Sequence, residues 1–320
     1  MLYPVERTAL GFSSADGKSQ IKGLLWRPAG AAPSVRGIVQ IVHGMCEHAG
    51  RYDAFARELA AHGYVACAHD HIGHGKSVSD PEDWGHMPAR GGAEVLVEDV
   101  DALRRLVSAR FARSVPYFVF GHSMGSFITR VYLTRHAEGL SGAVLCGTGN
   151  KPRAVSKAGN VIARSIARVS GERAESPFLR SVADGAYSRA VENARTPYDW
   201  LSANEANVDA FIADELCGRP FTAGGYAALT ALTYDAARLD LAAKIPPDLP
   251  ILFIAGAHDP VGDNGEGVRA SAEIMRAAGV ESVEVVLYQG MRHEILNEDG
   301  HERVYADVLT WLEAHRAPAA

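Results

Sequence analysis

Six apolar runs of strand length recur along the chain, and helical stretches separate most of them. The runs are 37–42 (GIVQIV), 63–70 (GYVACAHD), 116–122 (PYFVFGH), 141–147 (SGAVLCG), 250–256 (PILFIAG) and 282–288 (SVEVVLY). They lack the polar-apolar alternation of a sheet with one wet face, so they suit parallel strands covered on both sides. Helical spacing over 51–62, 93–111, 124–137, 266–278 and 299–315 supplies the crossovers. Such alternation predicts a doubly wound, mostly parallel α/β sheet. Residues 1–36 read as one or two short strands around Asp16-Gly17, forming an antiparallel edge.

The alternation stops at residue 148 and resumes near 248. The stretch between contains helix-like segments at 155–169 and 204–216 but no buried strand pattern. The expected organisation is therefore a core at 1–148, a helical cap at 149–247 inserted between two core strands, and the rest of the core at 248–320. Within the cap, residues 151–180 hold Lys151, Arg153, Lys157, Arg164, Arg168, Arg173 and Arg180 against Glu172 and Glu175. This is a local charge of +5 in a chain whose net charge is −6. Residues 157–169, with Ile162, Ile166 and Val169 interleaved by Arg164 and Arg168, fit either a basic solvated helix or transient contact with anionic lipid.

Composition narrows the classes further. A pI near 6.1 is wrong for a phosphate-binding face, so nucleic acid is not an expected partner. No run approaches a membrane span, and the first ten residues, MLYPVERTAL, lack the basic and apolar regions of a secretory signal. Cys46, Cys67, Cys146 and Cys217 form no C-x-x-C pair, which suggests reduced structural thiols and a cytoplasmic setting.

Gly121-His122-Ser123-Met124-Gly125 is G-x-S-x-G, between the run ending at 122 and the helical segment beginning at 124. In that context the motif marks a serine on a strained strand-to-helix turn with its hydroxyl exposed. A nucleophilic serine needs a base, and the base needs an acid that holds its tautomer, in the chain order Ser, Asp or Glu, His. Asp259 follows the run at 250–256, with Asp263 in the same loop as the alternative acid; His293 follows the run at 282–288. The backbone N–H groups of Met45 and Met124 are the candidate oxyanion donors, one from the loop after 37–42 and one from the residue after the serine. Glu47 and Arg51, four apart at a helix start, have the spacing to pair and support that first loop.

Three other patterns fail on inspection. His69-Asp70-His71-Ile72-Gly73-His74 nearly spells a histidine-rich metal signature, but Gly73 stands where its Asp should be. Gly75-Lys76-Ser77 imitates the end of a P-loop whose first glycine would be Asp70. The H-E-x-x-H pattern starting at His293 meets Asn297 instead of a second histidine.

Five segments together, HGMCEHAGRY (43–52), DHIGHGKS (70–77), GHSMG (121–125), AHDPVG (257–262) and MRHEILNE (291–298), resemble the monoacylglycerol lipase and lysophospholipase-like branch of the α/β-hydrolases, also called serine-aminopeptidase-like hydrolases. The likeness covers nearly the whole chain, and the stretch 195–222 is similar to bacterial members often named lysophospholipases. It implies an α/β-hydrolase fold with an inserted cap, Ser123 as nucleophile, Asp259 as acid, His293 as base, and Met45 and Met124 as oxyanion donors. It also implies a small lipid-like carboxylic ester as substrate and no cofactor or metal. A serine peptidase or amidase on small amides, and a catalytically silent ligand-binding protein, remain as alternatives on the same fold. Activity that depends on a neutral histidine is expected to fall below pH ~6.5.

Overall fold

The computed structural model describes residues 2–30, 35–183 and 185–316. Its first elements form a hairpin, β1 (Val5–Ser13) and β2 (Gln20–Pro28), turned by Asp16-Gly17. The Asp16 carboxylate accepts from the backbone N–H groups of Lys18 and Ser19, and Gly17 takes φ 73°, a left-handed conformation that costs a residue without Cβ little. The expected antiparallel edge is thus present, with strands longer than the sequence pattern indicated.

Six further strands complete one sheet: β3 (Gly37–Val42), β4 (Tyr64–His69), β5 (Tyr117–His122), β6 (Gly142–Cys146), β7 (Ile251–Gly256) and β8 (Val283–Tyr288). The order is β1-β2-β4-β3-β5-β6-β7-β8, and β2 joins β4 antiparallel while all later pairs are parallel. From β3 through β7 every strand residue is buried, which is why these runs are apolar throughout. β8 is half-buried, as the second edge.

Between β3 and β4 lies α1 (Asp53–Ala61); α2 (Gly92–Ser108) precedes β5 and α3 (Met124–His136) follows it. Among the described residues, six helices connect β6 to β7, in the region expected to form the cap: α4 (Arg153–Ser170), α5 (Pro177–Ala183), α6 (Gly185–Arg189), α7 (Glu205–Ala213), α8 (Ala223–Ala236) and α9 (Leu239–Ala242). Then α10 (Glu266–Ala277) precedes β8, and α11 (His301–Ala314) ends the described chain. One hydrophobic cluster joins a face of the sheet to α2, α3, α8 and α10 through residues such as Leu96, Val100, Ile128 and Val268. The opposite face packs on α1 and α11 through Phe55, Leu59, Val304 and Trp311. This is the α/β-hydrolase architecture.

Strand order determines where chemistry can gather. From β3 the chain crosses to β4 on one side, then returns to β5 on the other, so the connections out of β3 and β5 diverge and leave a crevice at the carboxyl ends of the strands. The loop carrying Met45 leaves β3 there, and the turn carrying Ser123 leaves β5.

Candidate active site

Ser123 sits between the last residue of β5 and the first of α3, at φ 52° and ψ −120°. A non-glycine residue at that setting is strained, and the surroundings hold it there. Its N–H donates to the Cys146 carbonyl at 2.9 Å, and the Ser126 hydroxyl donates to its carbonyl at 2.6 Å. Both flanking glycines are demanded by close approach. A Cβ at Gly121 would strike Thr129 Oγ1 and the Gly125 carbonyl, and one at Gly125 would strike the Val42 carbonyl. The G-x-S-x-G pattern is therefore the local price of bending a buried strand straight into a buried helix.

Asp259 and His293, 34 residues apart in sequence, meet at the same rim. His293 Nδ1–H donates to Asp259 Oδ2 at 2.9 Å, and Asp259 Oδ1 accepts from the Val261 N–H at 2.9 Å. Both side chains are closed off from solvent. Burial disfavours a charged imidazole, but the Asp259 carboxylate and its hydrogen bond, helped by Glu294 and Glu47, outweigh it and raise the His293 pKa above the usual 6.5. The alternative acid, Asp263, is exposed on the same loop. The His293 ring lies 4.7 Å from that of His122, the residue before Ser123, and 5.2 Å from Trp200 of the cap. Gly147, next to the carbonyl that receives the Ser123 N–H, allows this approach: a Cβ there would stand 3.0 Å from His293 Cε1.

The loop after β3 leans on the serine, since a Cβ on Gly44 would be 3.0 Å from Ser123 Cβ. Glu47 holds it from below, accepting from the Gly44 N–H at 2.6 Å and from the Tyr52 hydroxyl at 2.7 Å. Met45 is half-buried and Met124 is buried at the start of α3. Arg51 pairs with Glu47 as its spacing suggested (Nη1 to Oε2, 3.1 Å), and also with Glu294 (Nη2 to Oε2, 2.8 Å). Asn207 of α7 donates to the same Glu294 oxygen at 2.7 Å, and Phe211 lies 5.0 Å beneath the guanidinium. One buried cation thus ties the loop bearing Met45, the residue after His293, and the cap.

The profile of the family described as serine aminopeptidase, S33, matches residues 33–300. The chain belongs to this S33 hydrolase family. Over 291 residues it is 30% identical to a monoacylglycerol lipase of Mycolicibacterium smegmatis, an alignment covering 88% of this chain and 89% of that one. It is 27% identical to the monoglyceride lipase of Mus musculus, across 92% and 87% of the two chains. Among solved structures it superposes with a TM-score of 0.88, at 31% identity and over 97% and 99% of the two chains, on a highly thermostable carboxyl esterase from Bacillus coagulans in complex with glycerol.

Several features of this S33 hydrolase lay outside the sequence reading. Asn207 and Trp200 reach the site from the cap, and Glu294, which adjoins His293, pairs with Arg51 of the loop after β3. A small apolar cluster of the cap, comprising Trp200, Leu201, Phe211 and Cys217 with Val261 of the acid loop, stands beside the His293 ring. Among the described residues, His69, His71 and His74 do not bring their ring nitrogens together as a ligand set. Among the described residues, the converging group of potential ligands is His48, Asp214 and Cys217. The imidazole and the carboxylate of this group are already bonded: His48 Nε2–H donates to Asp214 Oδ2 at 2.9 Å, His48 Nδ1 accepts from the Gly50 N–H at 3.1 Å, and Asp214 Oδ1 accepts from the Leu216 N–H at 2.9 Å. In that tautomer neither imidazole nitrogen has a lone pair free for an ion, so the group latches loop to cap.

Proposed function

We propose that this S33 hydrolase cleaves carboxylic esters through Ser123, His293 and Asp259, with monoacylglycerols or lysophospholipid-like esters as the substrate class. The Ser123 hydroxyl attacks the ester carbonyl while His293 Nε2 takes its proton. The N–H groups of Met45 and Met124 bear the oxyanion of the tetrahedral adduct. As the adduct collapses, the carbonyl-to-alkoxy bond breaks and His293 returns the proton to the departing alcohol. Water then attacks the acyl-enzyme by the same route, releasing the carboxylic acid and restoring the serine. Asp259 keeps Nδ1 protonated, so that the Nε2 lone pair serves as the base, and it stabilises the imidazolium. The observation that carries this reading is the buried Asp259–His293 hydrogen bond beside the strained serine turn. The lipases and esterase of similar sequence and structure support the choice of esters.

The apolar cluster around Trp200 supports an acyl-binding surface under the cap, next to the His293 ring. The test is fluorophosphonate labelling with mapping of the labelled residue, alongside p-nitrophenyl esters of graded chain length and aminoacyl anilides, for the wild type and Ser123→Ala. The expected result is label on Ser123 and ester turnover that the substitution abolishes. Anilides cleaved in preference to esters would favour the amidase alternative. Absence of labelling would favour a silent binding protein.

Contact between the cap and lipid is a second proposal. Val155, Val161, Ile162 and Val169 of α4 and Phe178 and Val182 of α5 are exposed, in the same segment as Lys157, Arg164, Arg168 and Arg180. Ile166 differs from the sequence expectation, being half-buried and turned to the core. A face of this composition suits the interface of an anionic bilayer. Sedimentation with phosphatidylglycerol vesicles at low and high salt tests it: salt-sensitive binding is expected, and none at low salt ends the proposal.

A further inference from the structure

Arg130 lies on α3, two helical turns beyond Ser123 and close to the same face of the helix. It is 1% exposed, and among the described residues no carboxylate pairs with it. A buried guanidinium is costly unless neutral acceptors or dipoles take the place of a counter-ion. Here they do. Nη2 donates to the carbonyl of Ala236 at 2.6 Å. Nη1 donates to the carbonyl of Gly149 at 2.9 Å and to the Ser271 hydroxyl at 3.0 Å, and Ser271 in turn donates to the same Gly149 carbonyl at 3.0 Å. Burial lowers the guanidinium to about 10, which leaves it charged at neutral pH.

The acceptors belong to separate structural limbs. Gly149 stands where the chain leaves β6 for the cap. Ala236 ends α8, the last long helix before the return to β7, and its carbonyl is at the negative end of that helix dipole. Ser271 belongs to α10, which follows the loop bearing Asp259. The Gly149 backbone also rests on that loop, because a Cβ there would strike the Val261 carbonyl, and the Val261 N–H holds Asp259. A neutral side chain of similar length has too few donors to reach all three, and an ammonium lacks the planar fork.

We propose that Arg130 is a positioning residue whose single guanidinium pins the outgoing and returning limbs of the cap to the helix beginning at Ser123, and so sets the height of the cap over the site. The part of this inference that concerns acyl-chain length rests on the ester hydrolase reading; the anchoring itself does not.

The test uses the full chain with Arg130→Lys, Arg130→Met and the milder Ser271→Ala. Hydrogen exchange read by mass spectrometry is expected to rise at least tenfold in peptides covering 148–152 and 234–242 of the Arg130 variants, while β3, β4 and β5 keep wild-type protection. The ratio of kcat/KM for p-nitrophenyl decanoate over acetate is expected to fall at least tenfold, with acetate turnover within threefold of wild type. Exchange that rises evenly through cap and core, or an unchanged ratio in variants that fold, would mark Arg130 as a purely structural residue and overturn the proposal. Should neither Arg130 variant fold, Ser271→Ala decides, since unchanged exchange at both limbs there would also overturn it. A wild-type protein without ester turnover would refute the ester reading, and the exchange pattern would still judge the anchor.

Discussion

Arg51 and Glu294 form a two-pronged ion pair, with Nη2 2.8 Å from Oε2 and neither side chain more than a tenth exposed. Burial alone would push the Glu294 carboxyl up, but Arg51 and the hydrogen bond from Asn207 bring it down to about 2. Removing the cation leaves Glu47 and Glu294 buried side by side with neutral hydrogen-bond donors but no counter-ion. Arg51→Met is therefore expected to lose about 3–5 kcal/mol of stability, as is typical when one member of a buried pair is deleted. Arg51→Lys keeps the charge but loses the fork, so its loss is expected to be smaller while kcat/KM still falls. Urea denaturation and ester kinetics on the two variants check both statements.

The acid limb of the pH–rate profile follows from His293. Its pKa is raised in the folded protein, so the imidazolium persists to higher pH than in a free histidine, and the neutral base is lost as pH falls through that raised value. The midpoint of kcat/KM is expected above 6.5, higher than the sequence alone suggested. Asp259→Asn removes the main source of the upward shift and the tautomer's anchor, so the midpoint moves down and kcat drops by roughly 10²–10⁴. Glu294→Gln removes a weaker contribution of the same sign and should lower the midpoint with a smaller loss of rate. A wild-type profile flat through neutrality down to pH 5 would contradict the role given to His293.

What the sequence reveals depends on whether a residue's environment is local. β3 through β7 are legible because strands buried on both faces must be apolar at every position, and the glycines around Ser123 are legible because two backbones pass through one point. Helix α8 was missed. It starts with Ala223, Gly224 and Gly225 and packs against α2, α3 and α4 at once. Thr230 and Thr233 bond to Asn160 and Ser156 of α4, so the helix lacks the solvent-facing polar stripe that betrays a surface helix. Partnerships such as Arg51 with Glu294, or Arg130 with two distant carbonyls, leave no periodic trace, because they are made by the fold across 243 and 106 residues of sequence separation.

Strain at Ser123 separates two inactivating substitutions. The conformation at φ 52° and ψ −120° is accessible to glycine and unfavourable for any residue with a Cβ. Ser123→Ala keeps the strain, whereas Ser123→Gly relieves it, although glycine also gains freedom in the unfolded chain. Both variants should lack esterase activity, and the glycine variant should be more stable than the alanine variant by about 1 kcal/mol. Thermal denaturation of the pair measures the difference, and a glycine variant less stable than the alanine variant by about 0.5–1 kcal/mol, the unfolded-state cost of glycine alone, would mean that the turn is not strained in solution.

The buried histidines predict how the fold responds to acid. Burial lowers His69 to about 3 and His74 and His122 to about 4, and it also lowers His43 and His71. Each is neutral when folded but takes up a proton near 6.5 once unfolded, so unfolding binds protons and stability is lost as pH falls below that value. The five together remove up to about 7 kcal/mol per pH unit between pH 6 and 5, at ~1.4 kcal/mol each. Asp99, raised to about 6 by burial, binds a proton in the folded state below that pH and offsets one of them. His69 offers the cleanest test, because neither ring nitrogen has a hydrogen-bond partner and its neighbour Phe12 lies edge-on at 5.6 Å. His69→Leu removes one titrating group without stranding a polar atom, so the slope of unfolding free energy against pH should flatten by about 1.4 kcal/mol per unit. Urea midpoints from pH 7.5 to 5 would show this, and an unaltered slope would mean that His69 is solvated or protonated in the native state.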